Sequence, residues 1–180
     1  MLLKLFGQSF LGSFMYAITQ WLIISSISRI LTIDDTGIYA TILGVVVTIN
    51  MFFNFGIRQI AYSTESDDVL YLTKYVFYLQ FCGLIITIIT CYAFYPNFLL
   101  LAASLYLHKI IETLSEYQYG VYQRTDLHKK IAISRILRSI SYTGTFVVSL
   151  YFSKDLILSS FLMFITNLTV FIIVDKFTIK

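Results

Sequence analysis

The sequence is poor in charge for its length. Only 13% of its 180 residues are charged, while 58% are hydrophobic and the mean hydropathy is +0.79. Soluble domains carry about a quarter charged residues. Disorder is excluded, because so apolar a chain could not stay solvated. The surplus apolar surface therefore has to face lipid. The net charge of +3 is small, and we expect no nucleic-acid partner.

Proline and cysteine are also scarce. Pro96 is the single proline, and it interrupts an uncharged run over residues 75–107 that is too long for one membrane span. Because proline is costly inside a helix and Pro-Asn favours turns, we predict a tight helical hairpin here. Cys82 and Cys91 lie nine residues apart in one apolar segment. Two such positions on one helix cannot form a disulfide, so we interpret both as packing residues.

Catalytic and metal-binding motifs are missing. The sequence has no glycine-rich phosphate loop, no CxxC, no HExxH and no Ser/His/Asp arrangement in a credible order. The two histidines, His108 and His128, have no cysteine or second histidine at ligand spacing. We therefore predict a protein that is not an enzyme, with no catalytic residue, no metal site and no cofactor.

The chain instead contains six apolar segments. A helix needs about 20 mostly apolar residues to cross a bilayer, and it satisfies its own backbone hydrogen bonds there. The sequence predicts an all-α polytopic membrane protein, a single six-transmembrane-helix bundle over residues 1–180. The predicted helices cover about 5–30, 37–62, 69–94, 98–123, 131–152 and 156–174.

The second segment carries a polar stripe. Asn50, Asn54 and Arg58 are spaced by four and would share one helix face. Polar groups in a spanning helix usually face protein or a hydrated cavity. These three residues are therefore candidates for a substrate cavity.

The fourth segment carries charges in its second half. His108, Glu112 and Glu116 are spaced by four, and Lys109 lies three residues before Glu112. A charge at the centre of a spanning helix costs about 2.5–3.5 kcal/mol. Lys109 and Glu112 fit two interpretations equally well, an ion pair that fixes helix packing or a polar line in a substrate cavity or proton-coupling site. We expect Glu116 to be solvated at the membrane interface.

Basic residues are unevenly distributed between the two ends of the predicted bundle. One end would hold most of them, with only Arg29 and Lys154 at the other, so the positive-inside rule places both termini in the cytoplasm. Arg58, Arg135 and Arg138 could anchor the protein to lipid headgroups or bind a substrate phosphate, since guanidinium pairs bidentately with phosphate oxygens. The basic end comprises Lys4, Arg58, Lys74, Arg124, Lys129, Lys130, Arg135, Arg138, Lys176 and Lys180.

Several short motifs resemble one transporter family. The first predicted hairpin has an arginine before an acidic turn, then Gly-x-Tyr-Ala, and it ends in Asn-x-Gly-x-Arg-Gln. A Gly-x-x-Gln and an Ala-x-Ser-x-Ile-x-Arg follow later. The pattern is similar to bacterial polysaccharide flippases of the multidrug/oligosaccharidyl-lipid/polysaccharide exporter superfamily, although Thr32 follows Leu31 where the family often has glycine. The matching residues are Arg29, Asp34-Asp35, Gly37–Ala40, Asn54–Gln59, Gly120–Gln123 and Ala132–Arg138.

The resemblance implies a fold and a function. Such flippases have two six-helix lobes, and this chain resembles the N-terminal one. The family moves polyprenyl-pyrophosphate-linked oligosaccharide across the bacterial plasma (inner) membrane during synthesis of O-antigen, capsule or exopolysaccharide. By analogy Arg58 is the first candidate for headgroup contact, ahead of Arg135 and Arg138. Membrane lipid and a second lobe or second copy are the implied partners.

The length departs from that pattern. Alternating access needs two lobes, so the chain could be a fragment, a half-transporter or an inactive product, and Lys176–Lys180 resembles the start of an inter-lobe linker. Two other functions stay open. One is a cation-coupled small-molecule or multidrug exporter with Glu112 as the coupling acid. The other is a membrane scaffold that transports nothing.

Overall fold

The computed structural model describes residues 2–63 and 69–175, with side chains for 14–63 and 71–175. The predictions for Lys4, Lys176–Lys180 and the orientation of the termini concern residues or side chains outside this part. The described residues form helices and connecting turns. The helices are α1 Leu2–Ile30, α2 Ile33–Asn54, α3 Ile57–Ser63, α4 Val69–Phe94, α5 Leu99–Arg124, α6 His128–Ser153 and α7 Leu156–Val174.

The predicted all-helical membrane fold is confirmed. With α2 and α3 taken as one interrupted helix, the described residues contain six long helices. Four of these are long and apolar enough to cross a membrane: Ile33–Ser63, Tyr71–Phe94, Pro96–Arg124 and Leu156–Val174. That α1 and α6 also cross the membrane stays a prediction, and α6 carries Arg135 and Arg138 in its N-terminal half.

Helix α5 is the central helix of the bundle. It packs on α2, α3, α4 and α7, whereas α6 packs mainly on α1 and α7. Buried side chains cover most of α5, including polar ones. The outer helices instead expose large apolar side chains such as Phe81, Ile89, Phe161 and Ile172. This arrangement suits a bundle that buries polar groups beside its apolar core and exposes apolar side chains to lipid.

The chain reverses at Leu31 and Thr32, one turn earlier than predicted. Thr32 caps α2: its hydroxyl accepts a hydrogen bond from the Asp35 amide at 3.1 Å, and the Asp35 carboxylate accepts one from the Thr32 amide at 3.2 Å. This is a capping box, and carboxylates in the first turn stabilise the helix by interacting with the positive end of its dipole. The predicted acidic turn, Asp34–Gly37, is therefore the first turn of α2.

The predicted second helix, 37–62, is interrupted. Phe55 and Gly56 adopt left-handed conformations, with φ of 42° and 63°, and separate α2 from α3. Helix α3 then lies very close to α5. A Cβ added at Gly120 would stand 2.4 Å from the carbonyl oxygen of Arg58. The break and this close approach together fix where Arg58 lies.

The two later connections are short. Pro96–Phe98 forms a single 3-10 turn between α4 and α5, which confirms the predicted tight hairpin. The basic loop predicted from Arg124 to Lys130 is smaller than expected. Helix α5 extends through Arg124 and α6 begins at His128, so Lys129 and Lys130 lie in the first turn of α6.

Candidate functional site

A cavity of about 370 Å³, lined by polar and charged side chains as well as apolar surface, lies between α1, α2, α5 and α6. Six of the seven candidate residues line it. Arg58 does not, but it contacts Glu116, which does. The lining consists of Tyr16, Val47, Asn50, Met51, Asn54, Lys109, Glu112, Thr113, Ser115, Glu116, Tyr119, Arg135, Arg138, Ser139 and Tyr142.

Asn50 and Asn54 occupy different environments. The amide nitrogen of Asn50 is buried and donates to Gln80 Oε1 at 3.0 Å and to Thr113 Oγ1 at 3.3 Å. Asn50 thereby connects α2 to α4 and α5. Asn54 is half-buried at the cavity wall, one residue before the break. Of the two, Asn54 is the better placed to contact a ligand.

Lys109 and Glu112 form an ion pair inside the cavity. Lys109 Nζ lies 2.6 Å from Glu112 Oε2, and His108 Nε2 lies 3.3 Å from the other carboxylate oxygen. Tyr16 of α1 accepts a hydrogen bond from Lys109 at 3.0 Å and donates one to Glu112 at 3.4 Å. The pair therefore bridges α5 and α1 while it also lines the cavity, which keeps both sequence-based interpretations open. Tyr16 is not among the predicted site residues, since a tyrosine in an apolar segment carries no distinguishing signal.

The sequence predicts a Glu116 that is solvated at the membrane interface. In the structure Glu116 is instead paired with two arginines. Its carboxylate bridges two guanidinium groups, Arg135 Nη2 at 2.6 Å and Arg58 Nη1 at 3.3 Å. Arg135 also stacks over the Tyr119 ring, 5.1 Å from its centroid. The side chains of Arg58, Glu116 and Arg135 are 29%, 33% and 19% exposed. This cluster is therefore open to a ligand entering the cavity.

Arg138 is held more deeply. It donates to the Ser115 hydroxyl and to the carboxylate of Asp175, which is fully buried directly after α7. Burial raises the pKa of the Asp175 carboxyl, and the Arg138 guanidinium opposes that rise. Asp175 was missed because an acid after the last apolar segment suggests solvation among lipid headgroups.

Cationic groups outnumber carboxylates at this site. In the described part of the chain, Arg58, Lys109, Arg135 and Arg138 contact three carboxylates, those of Glu112, Glu116 and Asp175. One positive charge is in excess, and it arises where Glu116 is shared by two arginines. Across the described residues, no group of three His, Cys, Asp or Glu side chains is placed to hold a metal ion. The arrangement suits an anionic ligand with several oxygens, such as a phosphate.

Comparison with known proteins shows a similarity to a capsule biosynthesis protein. The chain is 25% identical over 175 residues to "Capsular polysaccharide biosynthesis protein CapF" of Staphylococcus aureus. The match covers 97% of this chain and 44% of the relative, so the chain spans less than half of that protein's length. No protein-family model and no solved structure matches. The similarity and the apolar helices together support a polysaccharide-related membrane protein.

Proposed function

We propose that this chain is the N-terminal lobe of a transporter, not an enzyme. It would flip lipid-linked oligosaccharide repeat units across the bacterial plasma membrane during synthesis of a surface polysaccharide such as capsule. The similarity to a capsular polysaccharide biosynthesis protein supports a role in the synthesis of a surface polysaccharide. The basic end of the bundle would lie in the cytoplasm, where such a lipid is made.

The observation that carries the proposal is the sharing of Glu116 by Arg58 and Arg135. One carboxylate cannot neutralise two guanidinium groups, so this accessible cluster keeps a positive charge. A diphosphate offers several oxygens that two planar guanidinium groups can bind bidentately. Its polyprenyl chain would lie in the bilayer, along the apolar outer surface of the bundle.

The transporter would need a second half. Alternating access requires two lobes that move against each other around one site. The chain matches only 44% of its relative. We propose that a second lobe, or a second copy of the chain, completes the cavity.

Genetic complementation tests this function. A bacterium without its own repeat-unit flippase would express this chain alone, or joined to a C-terminal lobe from a relative. We expect the joined form to restore surface polysaccharide and Arg58→Ala to abolish the restoration. Arg29→Ala is the matched control, because this exposed arginine lies in the last turn of α1 and is not part of the cluster. Restoration by the chain alone would indicate self-assembly.

Failure of both forms, with the protein stably inserted, would contradict the flippase function. Two alternatives would then be tested. Acid-dependent flux of small molecules that is lost in Glu112→Gln would favour a cation-coupled exporter, although Glu112 would first have to release Lys109. In the native host, surface polysaccharide and flux that stay unchanged with Arg58→Ala would favour a scaffold with purely structural charges.

A further inference from the structure

We propose that Glu116 is an internal competitor of the substrate phosphate. Its carboxylate holds the guanidinium groups of Arg58 and Arg135 while no anion is bound, and a phosphate-bearing headgroup displaces it. The inference rests on the proposed function, because it assigns a role to a residue of the same site. It adds a competing group to the contacts that the arginines would make with the substrate.

Accessibility distinguishes this ion-pair cluster from the buried pair of Arg138 and Asp175. Glu116 is 33% exposed and its two arginines are 29% and 19% exposed, whereas Arg138 and Asp175 are only 6% and 0% exposed. Separating the buried pair would leave an uncompensated charge in an apolar environment. A partly exposed pair contributes little to stability, so a ligand can displace one partner at small cost. We therefore expect a phosphate to displace the carboxylate of Glu116, and not that of Asp175.

The contacts of Glu116 also link separate parts of the bundle. Glu116 lies on α5, Arg58 on α3 and Arg135 on α6. Helix α3 packs tightly on α5, but α6 packs on α1 and α7 and only slightly on α5. The contact between Glu116 and Arg135 is one of the side-chain contacts that hold α6 to α5, beside those of Arg138 with Ser115 and of Tyr119 with Ser134. A phosphate that takes the place of the carboxylate would keep Arg58 and Arg135 together and would remove this one contact between α6 and α5.

Pyrophosphate binding to the purified protein tests the proposal. Inorganic pyrophosphate would be titrated calorimetrically into wild-type protein and Glu116→Gln in lipid nanodiscs. We expect Glu116→Gln to bind about fivefold more tightly, the upper end for loss of a competing, partly exposed ion pair. Arg135→Ala should weaken binding. Combining Glu116→Gln with Arg135→Ala should remove most of the gain, because one of the released guanidinium groups is then missing.

Asp126→Asn is the matched control for charge. It removes one negative charge from the short turn after α5, where the side chain is 93% exposed. Ten residues separate it from Glu116, which corresponds to about 15 Å along a helix, beyond the screening length in physiological salt. Its affinity for pyrophosphate should stay within about twofold of wild type. Asparagine also tolerates the left-handed backbone of this position, where φ is 56°.

Equal affinities of wild type and Glu116→Gln, with Arg135→Ala still weakened, would overturn the proposal. So would an equal gain in Asp126→Asn, or no binding by any variant. If Glu116→Gln does not fold, Glu116→Asp takes its place, since its shorter side chain should loosen both contacts and give an intermediate gain. Pyrophosphate binding requires no translocation. If Glu116→Gln binds pyrophosphate more tightly but the joined form does not complement, only the transport function is rejected. If the joined form complements but Glu116→Gln does not bind more tightly, only the competition by Glu116 is rejected.

Discussion

The Arg138 guanidinium of α6 donates a hydrogen bond to the carboxylate of Asp175, and neither side chain is accessible to more than a few per cent of its surface. This pair joins α6 to the end of α7. Arg138 also donates to Ser115 of α5, so three helices meet at one guanidinium. We infer that this ion pair is mainly structural.

Asp175→Asn should destabilise the protein strongly. It leaves Arg138 buried without a counter-ion, which costs about 3–5 kcal/mol when one partner of a buried pair is removed. Denaturant-induced unfolding in mixed micelles would measure the loss. Asp126→Asn, the same change at an exposed turn, should stay within about 0.5 kcal/mol of wild type. Equal stability of the two variants would show that the buried pair contributes nothing.

A double-mutant cycle can decide whether Lys109 and Glu112 fix helix packing or act in the cavity. We expect Lys109→Met and Glu112→Gln each to lower the free energy of unfolding, because each leaves a charge without its partner. The double variant should lose less than the sum, with a coupling of about 1–3 kcal/mol. Unfolding in micelles and complementation would be measured on the same set. A double variant that regains stability and transport would identify a packing pair, while regained stability alone would identify a role in the cavity.

Gly120→Ala should displace α3 and impair function. The added Cβ would meet the Arg58 carbonyl oxygen at 2.4 Å and the Ala61 Cβ at 2.7 Å. Such overpacking costs about 1–3 kcal/mol and would shift Arg58. Gly144→Ala provides the control, because nothing lies within 4 Å of its added Cβ. This control should be neutral or stabilising by up to about 1 kcal/mol. Equal surface polysaccharide in both variants would mean that the close approach is not needed.

The two ends of the bundle should lie on opposite sides of the membrane. The helices between Asp34 and Asp126 provide three of the candidate spans, and the positive-inside rule places the Asp126 end in the cytoplasm. After Cys82 and Cys91 are replaced by alanine, Asp34→Cys should react with an impermeant maleimide from outside intact cells. Asp126→Cys should react only after lysis. Labelling of both from one side would exclude this topology.

The helices could be predicted because lipid constrains composition so strongly. A long uncharged run has few alternatives to a helix, and Pro96 marks the one hairpin that hydropathy does not resolve. Interruptions are harder to predict. Phe55 adopts a left-handed conformation that is uncommon for a bulky residue, so residues 37–62 resembled one continuous helix.

Part of the candidate cavity's lining could be predicted from the sequence, but the pairings between its side chains could not. Spacing by four indicates that Asn50 and Asn54, or Glu112 and Glu116, share a face, and these residues do line one cavity. It does not indicate which helix that face meets. The ion-pair partners of Glu116 lie on α3 and α6. The ion-pair partner of Arg138, Asp175, lies directly after α7. Such contacts depend on tertiary packing, which the periodicity of residues within one helix does not reveal.

The polar character of α5 also constrains biogenesis. A nascent helix that carries Lys109, Glu112 and Glu116 would partition poorly from the translocon into lipid by itself. The more apolar α2 and α4 precede it in synthesis and can enter first, but the partners Arg135, Arg138 and Asp175 emerge from the ribosome later. We expect α5 to wait at the translocon until α6 and α7 follow, so that the C-terminal half of the described bundle is released as a unit.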